Sequence, residues 1–297
     1  MRTPVRLAYR AKPSVIGFMS NIARPARRAP RDGPLPDMRA HWRDQRISPR
    51  DLAGFFELSG LPASETLPIL YPHTISFPML MAVLSHPRFP VPIWNVLQVR
   101  NRLMQHAPIA PDAALDFSVR TGERRVLEKG LEMDLLVSAE AGGRVVWEAV
   151  DTFYARGRFG VAQAAVCPSP TVAGTTVAEW RLPAHGRWRY GRLSGDLNPL
   201  HMSNGYARRF GYSGAFTHPQ RIIGQCLGHL GAIGALGHVP MRLETWIKGP
   251  VFYGARLSLR SEARAAEQLF ALHVDDDARP AIVGRFVTPN IDRETST

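Results

Sequence analysis

The sequence predicts an α+β fold made of two copies of one unit, an apolar helix followed by antiparallel strands. The helices are expected after Tyr71-Pro72-His73 and after Phe216-Thr217-His218, and residues 222–236 contain no Asp, Glu, Lys or Arg. The segments that follow alternate apolar and polar residues, which is typical of antiparallel strands with one buried face. A curved sheet wrapped round a central helix would bury that helix on most sides, which explains its lack of charge.

Each predicted element follows from its local pattern. In the first copy the apolar helix runs through Phe77 to Leu84, and period-2 segments predict strands at 94–99, 115–119, 135–137 and 145–147. In the second copy the apolar residues from Ile222 onward have the spacing of one helix face. The strands that follow it are predicted at 243–247, 257–259, 270–274 and 281–283.

The domain organisation follows from charge and composition. We expect a basic N-terminal extension at 1–44, a first unit at 45–157, a linker at 158–175, a second unit at 176–291 and a tail at 292–297. Residues 1–50 carry twelve Lys or Arg against three Asp, a net +9 out of +12 for the chain. This extension is interpreted as a bacterial-type arm of a cytoplasmic protein, with a short apolar helix near residues 15–22. A mitochondrial transit peptide is the alternative.

Several classes of protein are disfavoured. No apolar run has the roughly 18 residues of a membrane span, and the two cysteines, Cys167 and Cys226, suggest no disulfide framework. The histidines show no metal-ligand spacing, so no metal site is expected. Since the basic residues are concentrated in the extension, nucleic-acid binding is not expected of the two units. Binding through the arm stays an alternative that predicts salt-dependent affinity.

The most informative segment is the run from Tyr190 to His201, Tyr-Gly-Arg-Leu-Ser-Gly-Asp-Leu-Asn-Pro-Leu-His. Asn198 is a strong helix N-cap, and Pro199 fits the first helical position. Asp196 is therefore expected on the loop before a helix, with His201 in the first turn. The helix dipole favours an ionised Asp196 and a neutral His201 there, and the two side chains could hold one water molecule.

This run resembles the signature of the MaoC-like hydratases and dehydratases, the (R)-specific enoyl-thioester hydratase family. The first-half stretches 67–73 and 99–101 look like one branch of that family, the bacterial 3-hydroxyacyl-thioester dehydratases. The resemblance covers roughly residues 45–290 and is strongest at residues that match the signature: Tyr190, Leu193, Ser194, Gly195, Asp196, Asn198, Pro199, Leu200 and His201.

The resemblance implies a double hot-dog architecture, in which each unit is a sheet wrapped round a central helix. It also implies a hydro-lyase that adds water reversibly to a trans-2-enoyl thioester, giving an (R)-3-hydroxyacyl thioester of fatty-acid or polyketide-type metabolism. Only the second copy has the Asp-x-Asn-Pro-x-His run; the first copy has Ser59-Gly60 near the corresponding place but no such Asp and His. One active site per chain is therefore expected.

The resemblance also suggests roles for residues. Asp196 is the candidate base and His201 its acid–base partner, while Asn198 supports the water and the loop. Ser194 and Gly195 are expected to form the turn, and Tyr190 to pack in the core or line the pocket.

The oxyanion site departs from the family pattern. In most relatives a His-Gly pair opens the central helix, and the glycine N–H points at the thioester oxygen; here the pair is His218-Pro219, and proline has no N–H. The N–H groups of His218, Gln220 or Arg221 are candidates to replace it. His218 itself is expected as a cap or pocket wall.

The expected substrate is an acyl chain on coenzyme A or on the phosphopantetheine of an acyl carrier protein, with no further cofactor. Arginines that could meet its phosphates include Arg100, Arg102, Arg189, Arg192 and Arg221, although solvated surface is the expected position of each. A monomeric pseudo-dimer or a homodimer is expected. Two alternatives stay open: a hot-dog thioesterase, and a non-catalytic subunit that binds acyl thioesters.

Overall fold

The computed structural model describes residues 4–13, 33–231, 239–264 and 267–288. Within these ranges the strands are β1 (Val5–Tyr9), β2 (Met38–Arg46), β3 (Val96–Gln105), β4 (Ala114–Leu127), β5 (Gly130–Ala141), β6 (Arg144–Arg156), β7 (Thr175–Arg181), β8 (Met241–Ile247), β9 (Arg256–Arg264), β10 (Glu267–Val274) and β11 (Ile282–Val287). The helices are α1 (Pro49–Ser59), α2 (Leu70–Leu84), α3 (Arg187–Ser194), α4 (Pro199–Met202), α5 (Asn204–Arg209) and α6 (Pro219–His229).

The strands form one continuous sheet with the order β1-β2-β4-β5-β6-β3-β8-β11-β10-β9-β7. Its centre is the antiparallel pair β3–β8, in which Asn101 lies opposite Thr245. Outward from this pair each side has a corresponding series of antiparallel strands, and β1 adds in parallel beside β2 at one edge. This symmetry confirms the two predicted copies and the α+β class.

The two central helices begin differently. His73 lies inside α2, which starts at Leu70, whereas His218 is the residue before α6. The predicted start of the first helix is therefore about one turn late. Residues 232–238, which include Gly234 and Gly237 of the predicted second helix, lie outside the described ranges.

Close packing of α6 depends on small residues. A Cβ on Gly228 would lie 2.5 Å from the carbonyl oxygen of Gly60, and one on Gly224 would lie 2.6 Å from Cβ of Ser59. The sequence predicts that the recurring glycines Gly228, Gly231, Gly234 and Gly237 let this helix approach the sheet closely. The prediction is wrong for Gly228, which faces the end of α1, as Gly224 also does.

The sheet extends into the segment predicted to be a basic extension. In β2 the side chains of Met38, Ala40 and Trp42 are buried while the residues between them are exposed, so the strand has the period-2 pattern of a sheet with one buried face. The boundary predicted at residue 44 falls inside this strand. The predicted helix near 15–22 and the tail at 292–297 lie outside the described residues.

The connection between the halves has no helix or strand from the end of β6 at Arg156 to the start of β7 at Thr175. Cys167 in this connection is exposed, Cys226 is buried, and both are free thiols.

None of the helices in the described ranges combines the length and the apolarity that a membrane crossing requires.

Candidate active site

The loop that carries Asp196 is built by the end of α3. Gly195 adopts the left-handed conformation, with φ 75°, and stops the helix. The Ser194 hydroxyl donates to the carbonyl oxygen of Tyr190 at 2.9 Å and accepts the backbone N–H of Asp196 at 3.2 Å. Ser194 and Gly195 thus form the turn, as predicted, and they fix the backbone of Asp196.

Asn198 organises the other side of the loop. Its side-chain oxygen accepts the N–H of Leu200 at 3.1 Å, which makes it the N-cap of α4, and Pro199 follows at the first helical position. The N–H of Asn198 donates to Oδ1 of Asp196 at 3.1 Å. The predicted helix start is confirmed, and Oδ2 is the carboxylate oxygen of Asp196 that this turn leaves for other contacts.

His201 lies on the first turn of α4 and points back at this carboxylate. Its Nδ1–H donates to the carbonyl oxygen of Phe216 at 2.9 Å, since a carbonyl can only accept. Its Nε2 lies 3.5 Å from Oδ2 of Asp196. Both side chains are almost fully buried, with 8% and 14% of their area exposed.

His218 completes the group. Its Nε2–H donates to the backbone carbonyl oxygen of Asp196 at 2.9 Å, and its ring lies 4.1 Å from the ring of His201. The side chain makes no capping bond to α6. Of the two expected structural roles, cap and pocket wall, the structure shows the second.

Burial and neighbouring charges act on these groups in opposite directions. Burial raises the pKa of Asp196, but the hydrogen bond and charge of a protonated His201, with the charge of His218, outweigh it and lower this pKa to about 2. Burial lowers the pKa of His218 to about 3, helped by the charge of His201. At neutral pH Asp196 is therefore ionised and His218 is neutral.

The neutral form of His201 leaves two hydrogen-bond acceptors facing each other. With its proton on Nδ1, its Nε2 is a lone pair directed at Oδ2 of Asp196, and neither atom can donate. A molecule with two O–H donors satisfies both acceptors at once. Water is the smallest such molecule, so the geometry fits a water held between Asp196 and His201.

The same three side chains are a group that could also hold a metal ion, since potential ligand atoms of Asp196, His201 and His218 lie within 4.8 Å of one another. Residue spacing did not predict this group, because His218 lies in a later segment of the chain than Asp196 and His201. The Nε2 of His218 carries the proton that it donates to Asp196, so it would have to break that bond to bind a cation. The donor set as arranged suits proton transfer better.

A small cavity joins this group to the first half of the chain. Its volume of about 10 Å³ is near the smallest that admits one water molecule. An acyl thioester is larger, so its binding requires lining side chains to move. The lining residues are His73, Thr74, Phe77, Tyr190, Ser194, Asp196, His218 and Gln220.

A larger cavity of about 670 Å³ shares none of these residues. It is lined by residues 166–172 of the linker, by sheet residues that include Arg100, Trp246 and Arg260, and by Lys248 just after β8. It contains neither Asp196 nor His201. We therefore place the candidate site at the smaller cavity, which Asp196 lines and beside which His201 contacts the Asp196 carboxylate.

Of the remaining predicted residues, Tyr190 and Gln220 lie where they were expected and Arg221 does not. Tyr190 is 1% exposed, packs its ring 5.1 Å from that of His218 and also lines the cavity. Gln220 also lines the cavity. Arg221 contradicts the expected position on the surface: it is 1% exposed, and its guanidinium donates to the carbonyls of Leu58 and His185.

A buried polar network was missed in the sequence. Nε2 of His73 lies 2.7 Å from Oδ1 of Asp151, and both side chains are fully buried. The amide of Gln98 donates to the same carboxylate oxygen at 2.6 Å and accepts from Gln220 at 3.1 Å. The available signal was Asp151, a carboxylate next to Val150 in a strand rich in apolar residues, but its partners are distant in the chain.

Known proteins resemble this chain in sequence and in fold. The chain is 28% identical over 192 residues to 3-hydroxyacyl-thioester dehydratase X of Mycobacterium tuberculosis, covering 64% of this chain and 68% of that protein. A crystal structure of that protein, HtdX, superposes with a TM-score of 0.71 at 22% identity, covering 84% of this chain and 99% of that one. No model of a protein family matches the sequence.

Two further solved structures share the architecture. A MaoC-like dehydratase from Phytophthora capsici has a TM-score of 0.72 at 17% identity, with 86% of this chain and 95% of that one covered. A Mycobacterium tuberculosis protein described as a double hotdog fold has a TM-score of 0.55 at 14% identity, with 82% and 92% covered. The chain has the double hot-dog fold of the MaoC-like dehydratases. The predicted resemblance is confirmed, and the names of these relatives agree with the predicted class of hydro-lyase.

Proposed function

We propose that this double hot-dog protein catalyses the reversible hydration of a trans-2-enoyl thioester to an (R)-3-hydroxyacyl thioester. The observation that carries the proposal is the placement of Oδ2 of Asp196 and Nε2 of His201, two buried acceptors 3.5 Å apart. The dehydratase names of the relatives support the reaction class. The (R) stereochemistry rests on the family resemblance.

In the hydration direction Asp196 takes one proton from the bound water while His201 holds the other. The water oxygen bonds to the β-carbon, and the electron pair of the double bond moves to the α-carbon and the thioester carbonyl. The proton on Asp196 then passes to the α-carbon, which restores the carboxylate. Dehydration reverses these steps, and such acid–base assistance contributes about 10²–10⁴-fold to the rate.

The acyl group is proposed to be carried on coenzyme A or on the phosphopantetheine of an acyl carrier protein, with no additional cofactor. The cytoplasmic location, the monomeric or dimeric state and the absence of nucleic-acid binding stay predictions. Asn198 supports the proposal by holding both the helix start and Oδ1 of Asp196.

The test is the loss of enoyl absorbance from crotonyl-CoA and trans-2-octenoyl-CoA, with thiol release measured in parallel. We expect the wild type to consume the enoyl signal without releasing thiol, and Asp196→Asn to abolish this. The matched control is Asp112→Asn, an exposed carboxylate on a turn. Activity retained in Asp196→Asn would exclude that residue as the base.

One observation favours a second candidate, a non-catalytic subunit that binds acyl thioesters. Pro219 begins α6 and has no N–H to offer to a thioester oxygen. Binding of both enoyl thioesters with no loss of absorbance would favour this candidate. Thiol release would instead favour a thioesterase.

A further inference from the structure

The proposed reaction needs a hydrogen-bond donor to the carbonyl oxygen of the thioester. Negative charge develops on the thioester carbonyl oxygen, and removing a donor from such an oxygen typically costs about 10²–10³-fold in rate. Pro219 cannot supply one from the start of α6. The remaining candidates are the other backbone N–H groups at the start of α6 and the polar side chains round the cavity.

The hydroxyl groups of the cavity wall are already engaged. The Ser194 hydroxyl donates to the carbonyl oxygen of Tyr190. The Thr74 hydroxyl donates to the carbonyl oxygen of Leu70 at 2.9 Å, so in the 3.4 Å contact with Thr74 it is the Tyr190 hydroxyl that donates. Each of these three hydroxyls has a protein acceptor.

The nitrogen donors of the wall are also engaged, with one exception. His218 donates to Asp196, and Nε2–H of His73 donates to Asp151. The amide nitrogen of Gln220 has two N–H groups, of which one donates to Gln98. Among the side chains that line this cavity, the second N–H of Gln220 is the donor that these hydrogen bonds leave without a protein acceptor.

The orientation of this amide is determined by the first half of the chain. The carboxylate of Asp151 can only accept, so Gln98 must present its NH₂ to Asp151 and its oxygen to Gln220. That oxygen in turn requires the NH₂ of Gln220 rather than its oxygen. His73 holds Asp151 from α2, with both side chains fully buried.

We propose that the side-chain amide of Gln220 donates to the thioester carbonyl oxygen in place of the N–H that Pro219 lacks. Gln98, Asp151 and His73 are positioning residues that aim this amide. The inference rests on the proposed hydratase function. It gives the first half of the chain, which lacks the Asp–His pair, the role of positioning the Gln220 amide.

The first test is kinetic. Gln220→Met keeps the length of the side chain and removes its N–H groups, so kcat should fall about 10²–10³-fold with a smaller change in KM. Gln98→Met should cause a loss of up to about 10²-fold, because it misplaces the donor without removing it. Gln225→Met is the matched control: its amide contacts Trp180 and Leu58 on another side of α6, and wild-type kcat is expected.

The second test is rescue. Pro219→Gly supplies a backbone N–H at the helix start, so in the Gln220→Met background it should restore kcat by about tenfold or more. The same change in the wild type should alter kcat little, because Gln220 is already present. Failure of this rescue would contradict the proposed exchange of one donor for another.

The third test does not depend on turnover. Binding of 2,4-hexadienoyl-CoA to Asp196→Asn should shift its absorbance to longer wavelength, because a hydrogen bond polarises the thioester carbonyl. Adding Gln220→Met should remove this shift, whereas adding Gln225→Met should keep it. If Gln220→Met does not fold, Gln220→Leu, which also lacks any hydrogen-bond donor, takes its place.

The outcomes separate the two proposals. No turnover of either enoyl thioester by the wild type overturns the proposed function and this inference with it. Turnover that depends on Asp196, with wild-type kcat and an unchanged absorbance shift when Gln220 is replaced, overturns this inference alone.

Discussion

The hydroxyls of Ser59 and Ser194 make the same hydrogen bond in the two halves of the chain, each to the carbonyl oxygen four residues earlier. A left-handed glycine closes the helix in both cases, Gly60 at φ 67° and Gly195 at φ 75°. Only the second half continues into a carboxylate, Asp196, whose N–H donates to Ser194. The first half therefore keeps the turn without the acid–base group.

This pair provides a matched test. Ser59→Ala and Ser194→Ala should each lower the free energy of unfolding by about 1 kcal/mol, because each removes one buried hydrogen bond. Only Ser194→Ala should also lower kcat, since it releases the backbone of Asp196. Urea unfolding and the enoyl absorbance assay measure the two effects, and an equal loss of kcat in both variants would contradict the expected difference.

The two glycines give a second comparison. Gly60→Ala should cost about 1 kcal/mol for its left-handed backbone, because the new Cβ meets Gln225 only at an ordinary 3.7 Å. Gly195→Ala adds a contact of 2.6 Å with Pro78 and should cost more, with a loss of kcat. Thermal unfolding should rank the variants in this order; the reverse order would refute the packing argument.

Stability should depend on pH through His218. Its pKa of about 3 in the folded protein lies below the ordinary 6.5, so between these values the unfolded chain binds the extra proton. The free energy of unfolding therefore falls as pH falls through this window, by at most about 1.4 kcal/mol per pH unit from this group.

Replacing this histidine should flatten that dependence. Urea unfolding of His218→Gln between pH 5 and pH 7 should show a smaller slope than the wild type, whereas His41→Gln, at an exposed position of β2, should keep the wild-type slope. Measurement above pH 5 keeps the contribution of Asp196 small, because its carboxylate binds protons near pH 2 in the folded protein and near its ordinary pKa of 3.8 in the unfolded chain. An unchanged slope in His218→Gln would assign the acid sensitivity to another group.

Lys12 connects the N-terminal segment to the turn before Asp196. Its ammonium group donates to the carbonyls of Arg192 and Leu193, at 2.9 and 2.8 Å, at the end of α3. Lys12→Met should lower the free energy of unfolding by about 1 kcal/mol and reduce kcat, because the turn at Gly195 loses its support. Arg10→Gln, at an exposed position nearby, should change neither quantity. If Lys12→Met loses stability without any change in kcat, the turn does not need Lys12.

The features that could be predicted from the sequence are those that depend on residues close together in the chain. The run from Tyr190 to His201 holds its turn and its helix cap within one short segment, so local rules sufficed to predict both. β2 was missed because its exposed face is rich in charged residues and because the strand follows a proline-rich stretch. Only the buried alternation of Met38, Ala40 and Trp42 marks it as a strand.

The rest of the site depends on contacts between distant segments. His73, Asp151 and Gln98 come from α2, β6 and β3, and the sheet brings them to Gln220 of α6. No local pattern predicts that pairing. Arg221 was misplaced for the same reason, since its two carbonyl acceptors belong to other segments of the chain.

The β3–β8 pair joins the two halves within a single polypeptide, and this has an evolutionary consequence. In an assembly of two identical chains, any mutation alters both copies of a cavity wall at once. Here each half can mutate independently, so one could lose its carboxylate and imidazole while acquiring a buried network of its own. The covalent connection also keeps the halves together at any dilution, so the shared cavity does not depend on protein concentration.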